Sequence, residues 1–576
     1  MSIDLLFAGG QVFNAHLKRF IPADLAVHHG KIVYAGPKGA ELFEAEETVN
    51  VSGQFIIPGL IDSHMHIQSS MMSPRAFSAA VLPHGVTTVV SEPHEIANVF
   101  GLDGVRESLR AAGACALDIR LAMPSSVPSA RPDLETAGGE IGLSEIMEMM
   151  EWPRTVCLGE VMNMHDVISE PNGRINQIIR SVRENRPHWP IEGHCPRVSG
   201  KDLAAVIAAG IGSDHTEQAL EGMKERIRMG MIIQLQRKSL RPELLAYIDQ
   251  EGLEDSLSFV TDDTMPDTLL REGHLDEILR IAVSMGYPAE KAVYCATWTP
   301  AQRMRLFDRG ALDPGRIADF VILDDPARFT ISSVWKKGRR VPQRRSLSYS
   351  SGFYPAEFYN SVHVPPQEEK DFRVPAPIEE GTVRCRAALV QEHSTMTVPA
   401  EAELPVRGGY IDWESSPWAL ASVIERHGLG GGRGFLFVGG AALRHGAAVR
   451  HGAAASTYSH DAHNLLVIGQ NGRDMAAAAN DVIEKQGGIS VAADGHLLAS
   501  AALPVAGILS EEPVELLGEE IERVRESLSA LGWTQDNPVM SMATLALPVS
   551  PALKVTDKGI VDVKNQQLVP LVMEAK

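Results

Sequence analysis

Short runs of alternating apolar and polar residues open the chain. Leu5–Phe13, Asp24–His28 and Lys31–Ala35 read as strands, the last closed by Gly36, and Thr48–Ile57 reads as another. Period-two alternation between turn glycines predicts a small β-sandwich. Pro58-Gly59 breaks the pattern, and strand-like runs then alternate with helix-like ones, as in a parallel α/β domain. Eight candidate strands follow: Gly59–His64, Thr87–Ser91, Ile119–Met123, Val156–Glu160, Ile191–His194, Ile211–Asp214, Ile232–Leu235 and Leu257–Thr261. Stretches such as Leu143–Met150 and Lys201–Ala209 supply intervening helices. Eight such units in about 250 residues predict a (β/α)8 TIM-like barrel.

Beyond the barrel, Phe320–Leu323 and Ile331–Arg339 read as strands that return to complete the N-terminal sandwich. The expected layout is a composite sandwich from residues 1–57 and 306–341, a barrel at 58–305, a proline-containing linker at 342–373, and a C-terminal α/β domain at 374–576. Gly430-Gly431-Gly432 and the Ala/Gly-rich stretch around Arg444–Ala455 read as loops or tight packing.

Composition narrows the partners. A chain of 576 residues with 44% hydrophobic and 22% charged residues is ordinary for a globular protein of two or three domains. A net charge of −20 argues against nucleic acid, which needs a basic face, and fits a neutral small molecule. No run is long and apolar enough to cross a bilayer, and the first residues do not read as a signal peptide. Five scattered cysteines without CxxC spacing fit reduced thiols in the cytoplasm. A homodimer or higher homo-oligomer is the default assembly.

The chemistry lies where acidic and histidine residues meet strand ends. His64 and His66 form HxH at the end of the first strand, where residues two apart point the same way. Glu160 ends the fourth strand, His194 the fifth, His215 follows the sixth and Asp262 the eighth. Barrel active sites lie at the C-terminal strand ends, so four imidazoles and two carboxylates are expected to converge. Singly, each has a plainer reading as a core or surface residue. Together they suit two borderline divalent ions such as Zn, Mn or Fe, with Glu160 as the bridge. A metal-bridging hydroxide is the expected nucleophile, with Asp262 as both ligand and proton acceptor. Glu92 and Glu95 flank Pro93 and His94. Either acid could carry a proton or serve as a structural hydrogen-bond partner; His94 is not counted among the ligands.

The segments PGLIDSHMH, GHCP, SDH and TDD, with the trailing GALDPGRIADFVILD, resemble the amidohydrolase superfamily. Glu92-Pro93-His94-Glu95-Ile96-Ala97-Asn98, Ile67-Gln68-Ser69-Ser70-Met71, Tyr458–Asn464 and Ala502–Leu509 resemble, more narrowly, the adenine deaminase family. The resemblance covers nearly the whole chain. It implies hydrolysis of adenine, or a related aminopurine, to hypoxanthine and ammonia. It also implies that His460, Asp461, His463 and Asn464 help form a purine pocket, with Gln68 and Glu92 among the substrate-binding residues and Glu95 among the catalytic ones.

Several positions depart from the family pattern. Gln68 stands where Glu is usual, Glu92 where Asp is usual, Thr216 where Glu is common, and Ser126 where Cys is usual. Arg237-Lys238-Ser239 replaces an REGS-like segment. These changes cluster near the barrel mouth and leave other substrates open: another aminoheterocycle or a cyclic amide. A non-catalytic metal-binding scaffold is the alternative of a different class. His445, His451 and His496 lack such context and read as structural or exposed.

Overall fold

The computed structural model describes residues 2–342, 352–391, 396–440, 452–533 and 535–576. The first strand, Ser2–Asn14, organises an eight-stranded sheet. Its first half pairs in parallel with Glu44–Asn50, and its second half meets Phe55 and Ile56. The register shifts between Phe7 and Gly10. Gly9 takes φ +83° there, and a Cβ would lie 2.6 Å from Ser52 Oγ, so glycine suits this bulge on both counts.

The chain returns to this sheet after the barrel. Phe320–Leu323 pairs antiparallel with Phe55–Pro58, and Thr330–Lys336 and Arg339–Arg340 extend the edge. Phe7 packs edge-on against both Phe320 and Trp335, with ring centroids 4.9 and 4.8 Å away. Aromatic residues from both ends of the insertion thus close one apolar cluster.

Between the two halves stand eight parallel strands: Leu60–Met65, Val86–Ser91, Asp118–Met123, Thr155–Val161, Ile191–Gly193, Ser213–Asp214, Ile232–Leu235 and Leu257–Phe259. Gly212 N donates to Ile191 O across one seam at 3.0 Å. His66 N donates to Asp262 O, and Asp262 N to His64 O, across the other, both at 3.1 Å. The sixth and eighth strands are shorter than their apolar runs suggest. The sixth loses its first two residues and the eighth its last two, beyond which Asp262 adopts φ +60°, a left-handed conformation rare for a non-glycine residue. The surrounding helices bury single faces. In Arg174–Asn185, Ile175, Ile178, Ile179 and Val182 are buried at helical spacing.

The C-terminal part holds a ten-stranded sheet and a three-stranded meander, Leu553–Thr556, Gly559–Asp562 and Gln567–Val569. Helix Gly472–Glu484 covers the sheet with small residues, Ala476, Ala478 and Ala479, on its buried face. Helix Val514–Ala530 reaches the barrel at Pro266–Arg271, where Arg525 pairs with Asp267 at 2.7 Å.

Of the stretch expected to be a linker, the described residues 352–373 are packed instead. Tyr354 and Phe358 are buried with Ile96 and Val505–Leu509, and Val362, Val364 and Phe372 enter the C-terminal core. Its prolines set extended segments, but the apolar residues between them have a surface to bury against. Among the described residues, no helix is long and apolar enough to cross a membrane.

Candidate metal centre

The strand ends bring the six expected ligands together. His66 Nδ1 lies 3.0 Å from Glu92 O, which can only accept, so the proton sits on Nδ1 and the Nε2 lone pair faces inward. That Nε2 is 3.3 Å from Glu160 Oε1 and 3.4 Å from Asp262 Oδ1. His64 Nε2 is 3.3 Å from the same Asp262 oxygen. Glu160 Oε2 faces the opposite way, 3.1 Å from His194 Nδ1 and 3.2 Å from His215 Nε2. Those two imidazole nitrogens are 3.0 Å apart. Separations of about 3.0–3.4 Å are what donors around an ion at ~2.0–2.2 Å produce.

The imidazoles around Glu160 and Asp262 keep both carboxylates ionised. Burial pushes the Glu160 carboxyl up, but bonds to His194 and His215 hold it well below the usual range. Burial likewise opposes ionisation of Asp262, and the His215 charge with the His64 and His66 contacts overcomes it. Lys238 Nζ stands 3.7 Å from Asp262 Oδ2, on an exposed side chain at the barrel mouth.

Two buried networks hold the ligands from behind. Asp214 accepts from Cys195 N at 3.2 Å, Thr216 N at 3.0 Å, Gln218 Nε2 at 2.8 Å and Arg226 Nε at 2.6 Å. Arg226 also donates to Cys195 O at 2.8 Å and Val198 O at 3.1 Å, tying the turns that carry His194 and His215. Thr216 therefore completes a scaffold. Asp62, on the other side, accepts from His64 N at 3.3 Å and Thr261 Oγ1 at 2.6 Å.

Above the ligands the geometry changes. Glu95, in the first turn of helix His94–Gly113, is fully buried and neither carboxylate oxygen has a partner. Burial raises its pKa against the pull of His94 and His66. Gln68 follows His66 in a short 3-10 turn, and both of its amide atoms are buried and unpartnered. The C-terminal domain adds Ser459–Asn464. His463 is completely buried with both ring nitrogens unpartnered, and burial then His460 hold it well below its usual pKa, hence neutral. His460 Nε2 and Asp461 Oδ2 also lack partners.

Two residues grouped with the substrate-binding set also serve protein groups, although Glu92 Oε1 is buried without a partner among the described residues. Glu92 turns Oε2 toward His94 Nδ1 at 2.9 Å and His66 Nδ1 at 3.4 Å, so it braces imidazoles. Asn464 accepts from Arg426 N at 3.2 Å and donates to Thr136 O at 2.8 Å, so both ends of its amide serve the backbone. Sequence reasoning underweighted His94. Its Nδ1 lies 4.0 Å from Glu160 Oε1 and its Nε2 3.9 Å from Asp461 Oδ1, at the junction of ligand cluster and roof. Burial opposes its charge, but Glu95 and Glu92 raise its pKa to about 10. The available signal was its place on the first turn of a helix that follows a barrel strand. Ser126 accepts from Met162 N at 3.3 Å. His496 is exposed, and His445 and His451 lie outside the described residues.

Comparison with known proteins extends this picture. Residues 55–341 match the amidohydrolase family model, and residues 394–567 match the adenine deaminase C-terminal domain. Adenine deaminase 2 of Shouchella clausii is 43% identical, with 100% of each chain covered. Adenine deaminase of Clostridium perfringens is 41% identical over 99% of this chain and 100% of its own. Adenine deaminase 2 of Oenococcus oeni is 41% identical over 99% of both.

Proposed function

The chain belongs to the adenine deaminase family, and on that premise we propose that His64, His66, Glu160, His194, His215 and Asp262 hold two divalent cations where adenine is hydrolysed to hypoxanthine and ammonia. The observation that carries the two-ion reading is the posture of Glu160, whose two oxygens face different imidazole sets. The mixed imidazole and carboxylate donors suit Mn, Fe or Zn.

A divalent pair supplies a water nucleophile acidified toward neutrality. The residues of the chain do the rest. Asp262 takes the proton from the attacking water, at the centre of the imidazole cluster. Glu95, buried and with a raised pKa, carries a proton to the departing amine. Gln68, His463 and the His460–Asp461 pair offer hydrogen-bonding atoms that no other group among the described residues uses, which supports a flat polar ring as their partner. Their burial excludes water and fixes the orientation of the ring.

The test is ammonia and hypoxanthine formation from adenine by protein loaded separately with Mn²⁺, Fe²⁺ and Zn²⁺. Turnover with two bound ions per chain is the expected result. An inert fully loaded protein that hydrolyses another aminoheterocycle would reject the substrate, and a single tightly bound ion would reject the bridging role of Glu160.

A further inference from the structure

Tyr458 has no part in the ligand cluster, the proton path or the scaffolds behind them. It ends the segment after strand Ala453–Ser456 and begins the turn that carries His460 and His463. Its ring is completely buried, with centroids 5.0 Å from His460 and 6.1 Å from His463. The backbone is anchored, because Ser456 Oγ donates to Tyr458 O at 3.0 Å. The hydroxyl has no hydrogen-bond partner among the described residues.

That is an unusual place to leave a phenol. Buried hydroxyls find partners in nearly all folded proteins, because an unmade bond costs the full desolvation of the group. The charges acting on Tyr458 are those of Asp263, Glu95, Asp262 and Asp461. Burial first, and then these carboxylates, keep the phenol protonated well beyond its usual range. The group is therefore a neutral donor, on a ring held against His460 and His463. The purine ring presents several unprotonated nitrogens, each needing a donor. Among the described residues, the unpartnered donors in this pocket beside Tyr458 are the Gln68 amide, one nitrogen of neutral His463 and Nε2 of His460, whose pKa Asp461 raises against burial.

We propose that the Tyr458 hydroxyl is a substrate contact, donating a hydrogen bond to a ring nitrogen of the bound aminopurine. This rests on the deaminase reading above and adds a specificity determinant to it. The contact is made by the ground state as well as during reaction, so its loss acts on binding more than on the chemical step. A site built to pair a ring nitrogen also discriminates against an analogue that lacks it, since the donor is then left buried and unpaired.

The experiment pairs Tyr458→Phe with adenine and its 1-deaza, 3-deaza and 7-deaza analogues, measuring kcat, KM and inhibition constants on metal-loaded protein. Tyr458→Phe should lower kcat/KM for adenine about 10- to 100-fold, mainly through KM, with metal content and the thermal midpoint unchanged. One deaza analogue should lose a similar factor in the natural protein and suffer no further loss in the variant. Losses that multiply independently for all three analogues would reduce Tyr458 to a packing residue and overturn the proposal, as would a variant equal to the natural protein. If Tyr458→Phe fails to fold, the natural protein still decides, because equal binding of all three analogues and adenine excludes any such bond. Failure of the natural protein to form hypoxanthine would reject the deaminase reading and this contact together. Normal turnover with an unaffected variant would reject the contact alone.

Discussion

The floor and the roof of this site use the same residue types in opposite ways. On the floor, every histidine and carboxylate of the cluster lies within 3–4 Å of another one: His64 with Asp262, His66 with Glu160, His194 with His215. On the roof, His463, Glu95, Gln68 and Tyr458 are equally buried, yet the polar atoms at their tips are unpartnered. Donor-to-donor crowding marks a place for cations, which neutralise several ligands at once. Isolated buried donors and acceptors mark a place for a molecule that brings its own. Burial alone does not separate the two; spacing separates His463, Glu95, Gln68 and Tyr458 from the floor, whereas His460 and Asp461, 3.4 Å apart, share the floor's crowding.

This contrast can be tested by substitutions that act on one side only. Asp262→Asn should have the largest effect, lowering kcat by about 10³- to 10⁴-fold, because it removes the proposed proton acceptor. Steady-state kinetics on metal-loaded protein measures it, and a fall of less than tenfold would move the base elsewhere. Glu160→Gln comes next. It removes the charge shared by both halves of the floor, and mass-spectrometric metal analysis after dialysis should find fewer than two ions per chain. Full occupancy would remove Glu160 from the bridge.

Arg226→Met acts on the floor without touching it, by releasing the turns of His194 and His215. Metal affinity should weaken about 10- to 100-fold, while excess metal restores most of kcat. Loss of kcat that metal does not restore would make Arg226 more than a brace. His463→Ala belongs to the roof and should raise KM about tenfold with metal content untouched. A drop in bound metal in that variant would erase the distinction between the two sides. Asn464→Ala should show the smallest effect, about 1–2 kcal/mol in chemical denaturation with nearly normal KM, since its amide bonds only backbone.

The floor was legible in the sequence because strand ends are. Each ligand follows an apolar run, so one topological inference places Glu160, His194, His215 and Asp262 at one rim even though they lie far apart along the chain. The eight strands were legible for the same reason, with their bounds shifted by at most two residues. The scaffold was less visible. Nothing in the spacing of Asp214 and Arg226 distinguishes a buried clamp from a surface pair. The roof was visible only through family resemblance, because its position beside the histidine and carboxylate cluster depends on contacts between distant segments. Asn464 illustrates the limit: motif membership suggested a pocket residue, but Arg426 and Thr136 claim its amide. The supposed linker misled for a related reason. Proline density reports local stiffness, whereas the burial of Phe358 and Phe372 depends on what lies opposite.

The insertion of the barrel between Phe55–Pro58 and Phe320–Leu323 sets an order of events during synthesis. Phe55–Pro58 emerges with Ser2–Asn14 on one side and its other edge open until the antiparallel partner is made. At translation rates of about 5–20 residues per second, that interval is on the order of tens of seconds. An open apolar edge is a template for pairing with another chain. Slow translation lengthens the time that this edge waits for its partner, an exposure that the finished sheet does not reveal.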